Sequence, residues 1–441
     1  MTPGNSGGPP TGATIGAEPP DGRTLIADDF PAGTHSLKVR EVAHVFGAPS
    51  DRARYIGKIM GGTRVAWRRV VAPDVDESRS SHRPPRCAAW VEILPNGWLC
   101  KTLLVPSPEE PKGVRQPVVK VGQPTPDDYF KVMVDDTKAF KSEDDVRADV
   151  VDKLVSTKVM LVGTSVVHVD DTPYLKTDHG LIEAASLAKF WPSDFEGIVL
   201  AAHPAVAFPF AWVFFERGAR KAPVYAVPDS SGGPVRAASR REIVSFGEEQ
   251  NGFVHIGDGE WVERKYVRVA RLTAPPPGVT ESAQWIDVDR DEQVLVAYQG
   301  TKPVFVTLVS TGGRKDPTPL ATYQVRAKAA TTPMDGDPSI PNHYEVSAVP
   351  WAVRFAKGFF IHGAYWHDGF GGARSHGCVN VSPKDAAFLF DWIAPPVPDG
   401  WSEVEVPLGS GAVVRIRDRE HPTPPLFDYS REEPWNVALA Q

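Results

Sequence analysis

Residues 359–393 read FFIHGAYWHDGFGGARSHGCVNVSPKDAAFLFDWI, and the fold of the C-terminal third is predicted from this stretch outward. An apolar run ends at His362, a glycine-rich loop follows, and the chain returns to a lone cysteine, Cys378. A strand, a loop and a second strand would bring these two side chains together. A short helix is predicted next, because Ser382 is a favoured N-cap and Pro383 suits the first helical position.

This arrangement is typical of an activated thiol. The thiolate is the attacking form of cysteine, and a neighbouring imidazole can remove the thiol proton to leave a thiolate–imidazolium pair. Two histidines could act as that base: His376, which would share a strand face with Cys378, and His362 at the end of the apolar run. The carbonyl of Gly363 would orient His362. The backbone amides of Gly377 and Cys378 are the predicted oxyanion donors.

Other interpretations of these residues are less favoured. A zinc site would draw on three histidines and the cysteine, namely His362, His367, His376 and Cys378. Their spacings of 5, 9 and 2 residues match no usual zinc-binding motif. His367 and Asp368 are instead predicted to lie on a flexible surface loop with the glycines that follow them. An inert, buried Cys378 would make the surrounding pattern a coincidence.

The same stretch resembles the active-site signature of the YkuD-type L,D-transpeptidases. That signature is a histidine, a loop, and then Ser/Thr-His-Gly-Cys-apolar-Asn/Arg, which His362 and the run SHGCVN at 375–380 satisfy. The run TPLATY at 318–323 resembles the Thr-Pro-x-Gly-x-Tyr/Phe element of the family. Ala321 stands where the family has glycine, which puts a local turn in doubt.

The resemblance implies a β-sandwich-like catalytic domain over residues 279–417 and an acyl transfer in two steps. Cys378 would form a thioester with the third residue of a peptidoglycan stem tetrapeptide and release D-alanine. The amine of a second stem would then take the acyl group, which gives a 3→3 cross-link. His362 would donate and accept the proton, and His376 would support the thiolate. The residues expected to bind substrate are Tyr365, Trp366, Ser375 and Asn380. Tyr365 and Trp366 could equally be core residues.

The resemblance also implies that the reaction needs no metal or organic cofactor, and that carbapenem β-lactams acylate the cysteine. Three acyl acceptors stay open: a stem amine, water in an L,D-carboxypeptidase or endopeptidase, and a lipoprotein lysine. A wall-binding protein that has lost activity is the non-enzyme alternative. Because peptidoglycan lies outside the cytoplasm, we expect the protein in the periplasm or cell envelope, although residues 1–22 show no charged start or apolar core of a signal peptide.

Upstream of the linker APPPG at 274–278, the chain is predicted to be a series of small β modules. The apolar anchors Trp98, Leu181 and Trp261 are spaced by 83 and 80 residues, which fits repeated small domains. Short β-like runs with frequent turns resemble bacterial SH3-like barrels, which commonly bind cell-wall glycopeptide; a spacer without a ligand is the alternative. The predicted ranges are 1–34 as a disordered lead, 35–112, 113–197 and 198–278 as up to three SH3-like modules, 279–417 as the catalytic domain, and 418–441 as a tail. The predicted class is therefore mainly β.

Net charge, hydropathy and cysteine content bear on nucleic-acid binding, membrane insertion and disulfide bonding. The net charge of −7, with no basic block, argues against nucleic acid as a partner. The most apolar stretch, 198–215, contains two prolines and a histidine, so no transmembrane segment is expected. Cys87 and Cys100 flank a hairpin whose Asn96-Gly97 pair predicts a two-residue turn, and we expect them to form a disulfide. The protein is expected to be a monomer.

Overall fold

The structure is a computed structural model of the 441-residue chain, and it describes residues 25–26, 30–72, 87–216, 218, 221–336 and 343–431. Most of the predicted disordered lead and the end of the predicted tail lie outside the described residues. The described part of the chain forms 35 strands and two α-helices, which confirms the mainly β class. It divides into two compact units: residues up to 116 with 397–405, and residues 117–396 with 406 onward.

The first unit is built almost entirely from the N-terminal part of the chain. Its strands from that part are β1 Leu25–Ile26, β2 Ser36–Val39, β3 Ala43–Phe46, β4 Tyr55–Ile59, β5 Arg64–Val65, β6 Trp67–Val71, β7 Trp90–Ile93, β8 Trp98–Cys100 and β9 Leu104–Ser107. A further strand, Trp401–Glu405, comes from far down the chain and pairs antiparallel with β4. Gly57 makes this pairing possible, because a Cβ there would lie 2.4 Å from the carbonyl oxygen of Glu403 and 2.6 Å from the Trp401 ring.

The hairpin β7–β8 carries the disulfide. Cys87 and Cys100 are bonded, with their Cα atoms 5.7 Å apart. The predicted two-residue turn is wrong: β7 ends at Ile93 and β8 begins at Trp98, so four residues separate the strands. The Ile93 N–H donates to the carbonyl of Gly97 at 2.9 Å. Pro95 lacks an N–H and cannot extend the ladder toward Asn96.

This disulfide predicts the thiol content of the protein. Labelling of denatured, unreduced protein should give one thiol per chain, that of Cys378, and labelling after reduction should give three. Closing a loop of about 14 residues is worth roughly 3 kcal/mol of stability by loop entropy. We therefore expect the midpoint of urea unfolding to fall on reduction. Three thiols before reduction would contradict the bond.

The second unit begins with two regions that precede the catalytic domain. The first contains β10 Asp128–Val132, β11 Thr137–Phe140, the helix α1 Glu143–Ala148, β12 Lys153–Val155, β13 Val159–Val169, β14 Thr172–Thr177, β15 Gly180–Glu183 and β16 Leu187–Lys189. The second contains β17 Ile198–Val199, β18 Phe210–Val213, β19 Ala222–Tyr225, β20 Arg236–Ala238, β21 Ile243–Ser245, β22 Glu249–Gln250, β23 Phe253–Gly257, β24 Glu260–Glu263 and β25 Val267–Ala270.

The three segments that recur in the sequence, around Trp98, Leu181 and Trp261, share one local structure. Each of the three anchor segments is a strand, a single 3₁₀ turn and a second strand, and the three turns are Lys101–Leu103, Ala184–Ser186 and Arg264–Tyr266. The identification of these regions as SH3-like modules remains a prediction. No helix among the described residues has the length and apolar character to span a membrane.

The catalytic region follows the linker and contains two sheets. Its elements are β26 Gln284–Asp289, β27 Val294–Gln299, β28 Lys302–Leu308, β29 Ala321–Gln324, β30 Ala327–Asp335, β31 Glu345–Ala356, β32 Phe359–Gly363, β33 Val379–Val381, the helix α2 Pro383–Trp392 and β35 Val413–Arg417. The strand Trp401–Glu405 of the first unit is β34. One sheet has the order β17-β28-β27-β26-β35-β29. In the other, β30, β31, β32 and β33 pair in succession. The Gln299-Gly300 pair predicts a turn in the sequence, and it lies where β27 joins β28.

Pairings within the second unit link the catalytic sheets to the preceding regions. β17 pairs with β28 in the first sheet, and β13 runs parallel to β31 beside the second, with Val159 opposite Glu345. The predicted boundaries at 197 and 278 therefore separate strands that are hydrogen-bonded to one another. Both pairings join residues more than 100 positions apart in the sequence.

Helix α2 begins as the sequence predicts. The Ser382 side chain accepts a hydrogen bond from the Asp385 N–H at 3.1 Å, and Pro383 occupies the first turn. Asp385 itself is buried, and its carboxylate also accepts a bond from the Gly197 N–H at 2.7 Å. Burial raises the pKa of Asp385 to about 6, although these hydrogen bonds oppose the rise. The residue therefore anchors the helix start to the segment before β17.

Candidate active site

The predicted base lies on β32, and the predicted nucleophile immediately precedes the neighbouring strand β33. They run parallel, with His362 opposite Asn380, and Cys378 immediately precedes β33. Residues in register on neighbouring strands point to the same face, as do residues two apart on one strand. His362, Asn380 and Cys378 thus belong to one face of the sheet.

His362 has the environment of a neutral base. Its side chain is 1% exposed, and Nδ1 lies 3.4 Å from the carbonyl oxygen of Gly363. A carbonyl can only accept, so Nδ1 carries the proton and Nε2 keeps a lone pair. Burial lowers the pKa of His362 to about 4, against a small opposing effect of the Gly363 carbonyl. The imidazole is therefore uncharged at neutral pH.

Cys378 is a thiol in the resting site. It is the one cysteine outside the disulfide, and its Sγ lies 3.7 Å from the carbonyl oxygen of Gly358. Burial raises its pKa to about 11, and a backbone hydrogen bond from Phe360 only partly offsets the rise. Burial thus disfavours both the thiolate form of Cys378 and the imidazolium form of His362.

The loop before Cys378 is braced by two hydroxyl groups. Ser375 Oγ accepts from the Gly377 N–H at 3.1 Å and donates to the Cys378 carbonyl at 2.6 Å. Thr318 Oγ1 donates to the Gly377 carbonyl at 2.7 Å and accepts from the Gly312 N–H at 2.9 Å. Ser375 thus holds the backbone of the nucleophile loop, and the Gly377 amide, a predicted oxyanion donor, is already engaged.

Thr318 is a site residue to which the sequence assigned no role. The sequence signal was present in the TPLATY run, but nothing in that run says which backbone group its hydroxyl would reach. Ala321, the departure from the family element, begins β29 opposite Ile416. It has an extended strand conformation there, so a side chain at this position causes no strain.

The remaining predicted site residues occupy different environments. The His376 ring stacks on Tyr344, with 4.7 Å between centroids. Tyr365 is 1% exposed and stacks on Tyr129 at 3.6 Å, so it packs in the core rather than lining an open pocket. Trp366 is half-buried, and its ring centroid lies 5.7 Å from that of His362.

The prediction of a flexible surface loop at His367 and Asp368 is wrong. Asp368 accepts hydrogen bonds from Arg240 at 2.7 Å, from Arg241 and from Ser193. Burial alone would raise the pKa of Asp368, but these bonds hold it at about 2. The partners lie more than 120 residues away, and the local glycines gave no sign of them.

Further contacts hold the same loop, and together with the contacts of Asp368 they are called the clamp below. Arg374 forms an ion pair with Glu216 at 2.6 Å, and Arg268 Nε donates to the Gly371 carbonyl at 2.6 Å. Gly371 has a φ of +104°, and a Cβ there would lie 2.4 Å from the Phe214 ring. Glycine at this position permits close packing, which explains why the loop is ordered.

Comparison with known proteins places this geometry in a family. Residues 283–416 match the family model of the L,D-transpeptidase catalytic domain, YkuD. The chain carries a YkuD domain. The matched range excludes Tyr129, Phe214 and the clamp residues Ser193, Glu216, Arg240, Arg241 and Arg268.

Relatives of the YkuD domain include two proteins of Mycobacterium tuberculosis. L,D-transpeptidase 1 of strain ATCC 25618 / H37Rv is 32% identical over 118 residues, which is 25% of this chain and 43% of that protein. L,D-transpeptidase 2 of strain CDC 1551 / Oshkosh is 34% identical over 120 residues, which is 23% of this chain and 29% of that protein. The chain therefore spans less than half the length of either relative.

Solved structures similar to the chain include an L,D-transpeptidase from Mycobacterium smegmatis. The TM-score is 0.26 and the sequence identity is 24%. The aligned part makes up 48% of this chain and 92% of the M. smegmatis chain. A second is the catalytic domain of the Enterococcus faecium L,D-transpeptidase, with a TM-score of 0.25 and 25% identity. The aligned part makes up 32% of this chain and 100% of the E. faecium domain.

Proposed function

We propose that the protein is a peptidoglycan L,D-transpeptidase that uses Cys378 as nucleophile and His362 as base. The observation that carries this proposal is the parallel pairing of β32 with β33. His362, whose Nδ1 lies 3.4 Å from the Gly363 carbonyl oxygen, is on the first strand, and Cys378 immediately precedes the second. The match of residues 283–416 to the L,D-transpeptidase catalytic domain supports it.

The first half of the reaction is acylation of the thiol. His362 Nε2 takes the proton from Cys378 as Sγ attacks the carbonyl carbon of the third residue of a stem tetrapeptide. The C–N bond to the terminal D-alanine then breaks, and the imidazolium returns its proton to the departing amine. The products are a thioester and free D-alanine. The Cys378 amide is proposed as the oxyanion donor, and the Gly377 amide would join it only by leaving Ser375.

The second half transfers the acyl group. The side-chain amine of a second stem attacks the thioester carbonyl while His362 accepts an amine proton. The C–S bond breaks, an amide forms, and the proton passes to the departing thiolate. Every step is an acyl or proton transfer. Burial of Cys378 favours its neutral form, so departure as a protonated thiol restores the resting site. Trp366, beside His362, would border the acyl chain, and His376 would contact it from the side of Tyr344.

This reaction places the protein outside the cytoplasm, in the periplasm or cell envelope. The regions before the linker are proposed to be SH3-like and to hold the enzyme on wall glycopeptide. Recovery of the protein in the cytoplasmic fraction of the source cells would contradict a location in the periplasm or cell envelope. Failure of a Cys378→Ala protein to sediment with purified sacculi would contradict wall binding without affecting the catalytic proposal.

The reaction is tested with sacculi that carry tetrapeptide stems. We expect incubation with the protein to release D-alanine and to form 3→3 cross-linked dimers, detected by mass spectrometry of the muropeptides. Heat-denatured protein serves as the control. Tripeptide stems without cross-links would instead identify water as the acceptor and an L,D-carboxypeptidase activity. Unchanged muropeptides would contradict both functions.

A further inference from the structure

Both polar atoms of the Asn380 side-chain amide have unusual hydrogen-bond environments. Asn380 is 2% exposed, and its Oδ1 has no hydrogen-bond partner among the described residues. Its Nδ2 lies 3.0 Å from Nε2 of His367. A buried acceptor without a partner costs about 1–3 kcal/mol, so this arrangement requires an explanation.

The tautomer of His367 follows from its other nitrogen. The Gly369 backbone N–H donates to Nδ1 at 3.1 Å. A backbone N–H can only donate, so Nδ1 is the acceptor and a neutral ring carries its proton on Nε2. Burial, Arg374 and His362 lower the pKa of His367 to about 3, which keeps the ring neutral. Nε2 is therefore a donor toward Asn380.

Two donors cannot share a hydrogen bond, so the Asn380 amide is turned the other way. Oxygen and nitrogen of a carboxamide have nearly the same shape, and only the hydrogen-bond network assigns them. With the amide turned over, Oδ1 accepts from His367 Nε2–H over the same 3.0 Å. The NH₂ group then occupies the position that has no partner, and it presents a buried donor there.

We propose that His367 is a positioning residue that fixes the Asn380 amide so that its NH₂ group donates to Cys378 once that thiol is ionised. Asn380 lies two residues after Cys378 and opposite His362, so all three share one face of the sheet. Sγ contacts the Gly358 carbonyl and accepts a hydrogen bond from the Phe360 backbone, and the NH₂ group of Asn380 would add a side-chain donor. A donor fixed in advance would stabilise the thiolate as it forms.

The loop clamp explains how His367 can hold its position. Asp368, the next residue, is gripped by Arg240 and Arg241, and Gly369 is bonded to the ring itself. Rotation of the ring would break the Gly369 bond and leave two donors unpaired. The region before the linker thus acts on the site through one histidine. This inference rests on the proposed function only for its role in catalysis; the effect on the thiol is independent of substrate.

Two substitutions separate this role from simple support of the loop. In His367→Gln, the amide nitrogen can replace the Nε2 donor to Asn380, whereas in His367→Asn the shorter side chain can replace only the Nδ1 acceptor for Gly369. We expect alkylation of Cys378 by iodoacetamide to be about tenfold slower near neutral pH in the Asn variant than in the Gln variant. The rate profile of the Asn variant should be displaced to higher pH by about one pH unit, as expected for loss of one hydrogen bond to a charged group.

Asn380→Leu provides the second arm, because it removes the donor and keeps a similar volume. It should slow alkylation as the Asn variant does, and combining it with His367→Asn should add no further loss. Thermal unfolding checks that each variant is folded. Equal rates in the two His367 variants, or the reverse order, would overturn the proposal and leave His367 as a loop support. So would an unchanged profile in Asn380→Leu. Alkylation needs no stem peptide, so these outcomes stand even if the sacculus experiment fails.

Discussion

Replacing Cys378 with alanine is expected to abolish both covalent capture of the protein by a carbapenem and release of D-alanine from tetrapeptide stems. Sγ is the one group in the described site that can form the acyl bond, because Ser375 Oγ is committed to the backbone of Gly377 and of Cys378 itself. Loss of a nucleophile leaves only the contribution of binding and oxyanion contacts. A fall in D-alanine release of at least about 10⁴-fold is therefore expected.

The measurement is the intact mass of the protein after incubation with a carbapenem. The wild-type chain should gain the mass of one carbapenem, located by peptide mapping on the fragment that contains Cys378. The chain supplies its own control: a protein with Cys87→Ser and Cys100→Ser should be less stable but keep the adduct. An adduct that persists in Cys378→Ala, or lies on another fragment, would contradict the assignment of the nucleophile.

The sequence was sufficient where the interactions are local. Ser382 and Pro383 predict the start of α2 because a cap depends on residues within one turn. Gly300 predicts the turn between β27 and β28 for the same reason. The pairing of the strand that carries His362 with the strand that follows Cys378 could be anticipated, because the two residues lie 16 positions apart and a single loop returns the chain between them.

The sequence was insufficient where distant residues set the local conformation. The glycines after Asp368 suggested flexibility, but Arg240 and Arg241 lie about 128 positions away and hold the loop by charge. Burial is equally nonlocal. It makes His362 and Cys378 both neutral at rest, which no spacing in the motif could indicate. Burial therefore disfavours an ion pair between the two side chains before substrate binds.

Replacing His362 with alanine is expected to slow acylation of Cys378 by about 10² to 10⁴-fold at neutral pH, the usual effect of removing a general base. In the wild-type protein the pKa of His362 is lowered to about 4, so the imidazole is an available base at any pH above that value. The acylation rate should rise with pH through about 4 and then level off. His362→Gln, which keeps most of the volume but has no basic nitrogen, should behave like the alanine variant.

The variants should differ from wild type in the shape of the pH profile. Without a base, attack depends on spontaneous ionisation of a thiol whose pKa burial raises to about 11. The thiolate fraction then increases about tenfold for each pH unit up to that value, so the variant recovers its rate steadily as the pH rises. His376→Ala is the matched control: its ring stacks on Tyr344, so its loss should leave the plateau in place. A plateau that survives in His362→Ala and disappears in His376→Ala would make His376 the base, because the pH at which the rate levels off reports the group that accepts the thiol proton.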